Sequence, residues 1–516
     1  MAEGCAGVNP TPGIDFAHAS ELALRARTAA RLQSARDLGG ALDALELIVA
    51  EPPARLSEIS QQAEILILFV DTCRIVGRLE ALAPWLCRLE QLLQPSSRLT
   101  SDTRARGIAA LAAVLIQRGQ CEAALLWCRR AVASGFGQCD AHTELRVLSQ
   151  LTGACLRLGR IVQAKRVATQ ALLAAGRSKD PALQGSAWMT LANVCMAESS
   201  HHEANRLYLE AARLHRRGAD RLNEARDHVN RGFLLVRMGL LGEGYDAFED
   251  VRSLAQQCGI PRLVNLAILG EGLILIRAGR LPEGRELLLR AWRQARHLEM
   301  LREACLALAY LAEGYALMRR STRARTALEL CRRAADRLAS QGDLVPEWQM
   351  RIALLALLEG EHATAVTAAS QAAAVSDRLG LSWELARSLK LLGMAHALRG
   401  DVKEAQSVLR KSETLFSSMD EQLDIQIVRT WLRWLESRPS TPGLASASSI
   451  RTLPLHDSQL PNRAQISVRG GMTLTPRQVC GEEVFCDSPV PRRASVEQRR
   501  TSDHGARVVE GLSPVW

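Results

Sequence analysis

The chain has 516 residues, of which 47% are apolar and only 4% aromatic, and it carries a formal net charge of +10. Its thirteen cysteines include no CxxC pair, and its longest apolar run, Ile65 to Val70, is far too short to span a bilayer. These features argue against a disulfide scaffold and a membrane-spanning helix, and the expected setting is a reducing, cytoplasmic one.

Residues 1–19 show no apolar periodicity and read as a disordered amino terminus, and Met1 to Gly13 has no apolar core of a signal peptide. From about residue 20 a small residue returns every 38 to 42 positions, at Gly39, Gly77, Gly119, Gly159, Gly239, Gly279, Gly360 and Gly400. Ser199 and Arg319 fall on the two beats that lack glycine. Ten such beats predict a solenoid, in which one supersecondary unit stacks on copies of itself. Five residues after the beat stand Ala124, Ala164, Ala204, Gly244, Gly284, Ala324, Ala365 and Ala405. Seven before it, Gly232, Gly272 and Gly393 are among a second set of small residues, whereas Tyr208, Phe248, Leu288 and Leu409 stand nine after it. Small side chains at fixed offsets let helices approach closely, and the bulky ones are expected to fill the gaps between repeats.

Within a unit the apolar residues return at three and four. Leu145, Leu148, Leu151 and Cys155 do so before Gly159, and Ile161, Ala164, Val167, Ala168 and Ala171 after it. Each unit therefore reads as helix A, a glycine turn, helix B and a loop. The prediction is an all-α, right-handed α-solenoid of about ten antiparallel helix pairs over residues 20–436. Trp431, Leu432, Trp434 and Leu435 form its closing helix.

One unit places Trp188, Leu191, Ala192, Ala204, Tyr208 and Ala211 where the tetratricopeptide repeat has its bulky residue, leucine and small residue of helix A and the alanines of helix B. Another gives Leu148, Leu151, Thr152, Gly159, Ala164 and Ala171. The chain thus resembles tetratricopeptide-repeat proteins, although its units run near 40 residues instead of about 34. Longer units of this kind are similar to the sensor region of maltose-regulator, LuxR-type bacterial activators and to kinesin light chains. HEAT and armadillo arrays share the length but not, as families, the paired small positions around a turn glycine.

At Arg438-Pro439-Ser440-Thr441-Pro442-Gly443 the period ends, and eight of the 18 prolines fall in residues 437–516. This Pro/Ser/Arg-rich tail reads as disordered. Within it, Leu474-Thr475-Pro476-Arg477-Gln478 resembles the opening of a LuxR-type helix-turn-helix. Pro489 and Pro491 follow where a recognition helix would have to form, so no DNA-binding domain is expected.

Catalytic motifs are missing. There is no phosphate loop, HExxH, GxSxG or dinucleotide fingerprint, and no catalytic residue, cofactor or metal is expected. His201-His202-Glu203 reads as a solvated turn, because adjacent histidines point apart and cannot share one tetrahedral ion. The groove carries more promise. Thirteen residues before the beat, an inner position of helix A in tetratricopeptide arrays, stand Arg106, Arg146, Arg226 and Arg387; two before it stand Arg157, Arg237 and Arg277. Arginines in register could clamp carboxylates in bidentate pairs. Asn193 matches the place where peptide-binding members of that family hold a ligand backbone, and Phe233 lies among the apolar groove positions. The expectation is a non-catalytic scaffold or regulatory module whose groove takes a protein partner, an acidic extended segment being the favoured class. The alternative is the sensor part of a bacterial signalling or transcription system, with a small-molecule effector. Nucleic acid is not expected, because acids interleave the basic residues, and no membrane partner is expected either.

Overall fold

The computed structural model describes Leu45 and residues 59–76, 82–136, 139–339, 342–437 and 453–459. Residues 1–468 make one compact unit; the second, residues 469–516, lies outside the described residues, as do the beats Gly39 and Gly77, the amino terminus and the Leu474–Gln478 phrase. The described elements are helical: α1 (Ile59–Val76), α2 (Ala83–Leu92), α3 (Ser101–Gln117), α4 (Cys121–Ala133), α5 (Ala141–Arg157), α6 (Ile161–Gly176) and α7 (Pro181–Ala197). There follow α8 (His201–Arg217), α9 (Arg221–Arg237), α10 (Leu241–Gln257), α11 (Pro261–Arg277), α12 (Leu281–His297) and α13 (Leu301–Leu317). The array ends with α14 (Ser321–Ala339), α15 (Leu344–Glu359), α16 (His362–Arg378), α17 (Ser382–Arg399), α18 (Val402–Met419) and α19 (Asp424–Glu436). Each helix packs on the next in antiparallel pairs, so the fold is an all-α solenoid. No described helix is long and apolar enough to cross a membrane.

The turn explains the period. At the beat the chain enters the left-handed region, and the following N–H reaches back five residues to cap helix A, as Arg160 N does on Cys155 O at 2.9 Å. Ser199 (φ 62°) and Arg319 (φ 59°) adopt the same conformation as the glycines they replace. A second left-handed turn lies between one unit and the next, at Ala219, Gly259, Glu299, Gly380 and Asp420. The sequence shows that half-beat only as loop punctuation. Several A helices open on a side-chain cap, with Asp140 accepting from Thr143 N at 2.6 Å and Asp220 from Asn223 N at 3.2 Å.

The small positions work within a unit as well as between units. A Cβ on Gly232 would stand 2.8 Å from the Phe248 ring, and one on Gly393 would stand 2.5 Å from Leu409 Cγ. The bulky residue of helix B is thus seated on the small residue of its own helix A. Phe248 also presses on Gly270 of the next unit, where a Cβ would meet its ring at 2.2 Å. Cys128, Cys155, Cys195, Cys305 and Cys331 are buried in this packing as free thiols.

Distant repeats also touch. The turn at Gly119 abuts Leu338, the turn at Gly159 abuts Leu379, and Gln422 N donates to Met238 O at 3.4 Å. These contacts join residues about 180 to 220 apart, so the solenoid closes a circuit in about five repeats and the next circuit rests on it. His201, expected in a solvated turn, is buried in this seam, where burial and then Arg237 drive its pKa down to about 4. His202 is the solvated member, 3.0 Å from Asp420 Oδ2.

Candidate functional site

Because the circuit closes, the inner faces of the A helices line a cavity of about 390 Å³ that is partly open to solvent. Helices α1, α3, α5, α7, α9, α11 and α13 all contribute to its wall. Its apolar lining comes from Ile116, Met189, Val229, Leu263 and Leu266, and its polar lining from Gln117, Asn193, Asn230, five arginines and two acids, Glu299 and Glu303.

Those arginines differ in how they are balanced. Arg157 and Arg302 hold the two oxygens of Asp343, at 2.7 and 2.8 Å. Burial would raise the pKa of that carboxyl, but the two guanidiniums hold it well below the usual range. Arg74 lies 3.6 Å from Asp71, a carboxylate it shares with Arg146 at 2.6 Å. Arg226 donates to Asn223 Oδ1 at 3.0 Å, with Asp220 and Asp71 as its nearby countercharges. Burial, then the neighbouring Arg74 charge and the Arg262 charge, pull its pKa down to about 10. Arg262 is lowered too, by burial first, with Glu303 opposing, and its Nη1 is buried without a hydrogen bond. Gln117 Oε1 and Arg74 Nε are likewise buried without partners. Arg74, Arg226 and Arg262 therefore lie together in a cavity that also holds Glu299 and Glu303, and repulsion among the guanidiniums adds to the cost of burying them.

The expected site residues divide by circuit. Arg226, Arg157 and Asn193 line the cavity. Arg146 stands behind it on Asp71, and Arg106 is tied to Glu64 and to Asp102 at 3.0 Å. Arg237 bonds Glu384 at 2.7 Å and stacks 4.9 Å from the Trp383 ring. Arg387 covers that ring at 4.8 Å, and Arg277 is fully buried among Asp424, Glu421 and Asp457. The file two residues before the beat thus ties one circuit to the next. Asn193 accepts from Tyr208 Oη at 2.7 Å and from Asn230 Nδ2 at 3.2 Å. Phe233 packs edge-on against Phe248, 5.0 Å between centroids. Sequence reasoning missed Arg74, Arg262 and Arg302. The last two share the offset seventeen before the beat, a faint signal diluted by Ala182 and Leu222 at the same offset.

One further constellation has the outline of a nucleophile relay. Ser186 Oγ lies 3.1 Å from His215 Nε2, and His215 Nδ1 lies 2.6 Å from Asp227 Oδ2. Ser186 sits inside α7, where backbone N–H groups are engaged in the helix ladder, so the relay has no nearby donor pair to receive an oxyanion. Asp227 is also pushed up to about 7, by burial first, against the pull of His215. The trio is a buried polar strut between α7, α8 and α9.

No family model matches the chain, and no curated protein matches it in sequence. Solved structures do match its fold. The Rap protein complexed with competence and sporulation factor is 12% identical, covers 70% of this chain and 99% of its own, and superposes with a TM-score of 0.50. The Rap conjugation gene regulator of plasmid pLS20, in complex with the Phr* peptide, is 13% identical over 67% and 96%, with a TM-score of 0.45. A tetratricopeptide repeat protein from Parabacteroides merdae is 13% identical over 55% and 98%, at 0.34. In fold the chain is a tetratricopeptide-like repeat protein.

Proposed function

We propose that this array is a non-catalytic interaction and regulatory module whose axial cavity receives an anionic group from an acidic segment of a partner protein. The observation that carries this reading is the trio Arg74, Arg226 and Arg262, three guanidiniums gathered on one cavity wall, whose pKa values burial and neighbouring cationic charge lower despite the nearby Glu299 and Glu303. A guanidinium fork is suited to a carboxylate, and a desolvated cavity strengthens the bond. A preformed site of this kind also binds with little ordering cost. The Rap structure, solved with competence and sporulation factor, is an array of similar fold holding a ligand.

The test is anisotropy of fluorescein-labelled hexaglutamate against the full chain at low and moderate salt. The double variant Arg226→Glu, Arg262→Glu is expected to weaken binding about tenfold or more. Equal affinity in both proteins refutes the reading. A second reading, a small anionic effector, is favoured by the cavity's volume, which falls in the range of ordinary small-molecule sites. Thermal stabilisation by citrate or inorganic phosphate, without hexaglutamate binding, selects that reading.

A further inference from the structure

Beyond α19, the described stretch Leu453–Gln459 is seated against the array, where the tail was expected to be disordered. Trp431 Nε1 donates to Pro454 O at 2.8 Å, and Gln459 Oε1 accepts from Leu455 N at 2.7 Å, closing a tight turn. Inside that turn His456, Asp457 and Ser458 are all buried. His456 Nε2 lies 2.8 Å from Glu313 Oε1, and Asp457 pairs with Arg277 across 180 residues of chain.

The socket is densely charged. Arg277, Arg351, Arg387 and Lys390 are its cations, and the array itself supplies the carboxyl groups of Glu313, Glu347, Asp424 and Glu421. Burial, then Asp424, pushes Glu421 up to about 8, and Asp457 adds to that push. Asp457 is the carboxylate that the segment brings, and it pairs with Arg277 Nε. The segment rests Leu453 and Leu455 on the apolar core that Ile427, Val428, Trp431 and Leu432 help form, and it buries polar side chains beside them. Asp457 Oδ1, Glu421 Oε1, Glu384 Oε2 and Arg387 Nε are left without hydrogen bonds. Buried ion pairs add little stability compared with apolar packing, and their best-attested use is in specificity and switching. Residues 438–452 lie between the segment and α19, enough chain at about 3.3 Å per residue for the segment to leave while α19 stays packed.

We propose that the socket around Arg277 and Lys390 is a recognition site for an aspartate-bearing turn, filled in cis by Leu453–Gln459 and taken by a similar turn on a partner protein when that segment leaves. The socket is separate from the axial cavity, so this proposal stands or falls independently of the function proposed above.

The experiment uses the full chain with Asp457→Lys, the milder Asp457→Asn, and a fluorescein-labelled peptide of residues 450–461. In Asp457→Lys the far-UV helical signal stays, amides of 453–459 lose hydrogen-exchange protection, and those of α11 and α17 keep it. The peptide then binds the variant about thirtyfold or more tightly than it binds the wild type, the scale set by removing one partner of a buried charge pair. Asparagine in place of aspartate in the peptide abolishes that gain. Equal peptide binding to both proteins, or none to the variant, overturns the proposal. Unfolding of the array in both variants also overturns it, because the segment is then a fixed part of the fold.

Discussion

Replacing Arg226 by methionine should make the protein more stable and less able to bind. Burial beside Arg74 and Arg262 draws the guanidinium pKa from 12.5 to about 10. At about 1.4 kcal/mol per pH unit, holding this charge destabilises the fold by up to about 3 kcal/mol. Partial solvent contact and the lost bond to Asn223 reduce the net gain to about 1–2 kcal/mol. Methionine keeps most of the apolar stem of arginine, and the guanidinium it lacks already borders the cavity, so the added void should offset little of the gain. Urea unfolding followed by circular dichroism measures the first effect, and anisotropy of labelled hexaglutamate the second. Because a repeat array can unfold in stages, the comparison belongs to the transition that carries α7 to α11. The gain should shrink as salt screens the trio. Destabilisation by more than about 1 kcal/mol, or unchanged hexaglutamate affinity, would refute the reasoning, since the charge would then be compensated within the protein. A stabilising loss of function is the mark of a site whose strain is kept for binding.

Other consequences follow from the packing and the buried acids. Gly159→Ala should cost about 1–3 kcal/mol more than Gly360→Ala. Both glycines have positive φ, but a Cβ at 159 meets Leu379 O at 2.7 Å whereas one at 360 meets nothing within 4 Å; equal losses in urea unfolding would deny the circuit contact. Gly270→Ala should destabilise by about 2–4 kcal/mol through the Phe248 ring, and adding Phe248→Leu should recover part of that loss; two additive losses would contradict this seating. Glu271 is pushed up to about 7 by burial, against the pull of Arg252. The folded state therefore holds a proton that the unfolded chain releases near pH 4.5, so stability falls as pH rises from about 4.5 to about 7 and levels off above that. Glu271→Gln should stabilise by up to about 3 kcal/mol at pH 8 and by little at pH 5; a pH-independent difference counts against this assignment.

Much of the architecture is readable in local chemistry. A helix needs a 3.6-residue apolar stripe, a cap and a stop, and all three lie within some twenty consecutive residues, as in Leu145 to Gly159. The beat survives at Ser199 and Arg319 because backbone N–H groups cap the helix whichever residue bears the strain. The bulky residues nine after the beat were legible as packing elements, but not their seat on Gly232 or Gly393, since an offset says nothing of which neighbour is met. Of the arginines, Arg226 and Arg157 were found by register, while Arg74, Arg262 and Arg302 were not, because they reach the cavity from helix ends.

What the chain's order alone determined was the repeating hairpin, its boundaries and the small positions that let hairpins nest, all of which depend on neighbours in sequence. How far the stack bends at each step was settled only in three dimensions. That bend is the sum of many side-chain volumes across successive interfaces, and it brings Gly159 to Leu379 and Arg277 to Asp457. Closure of the circuit turned some arginines into ties between circuits and left others facing the cavity. The difference between the two was therefore decided by tertiary geometry acting on identical residue types.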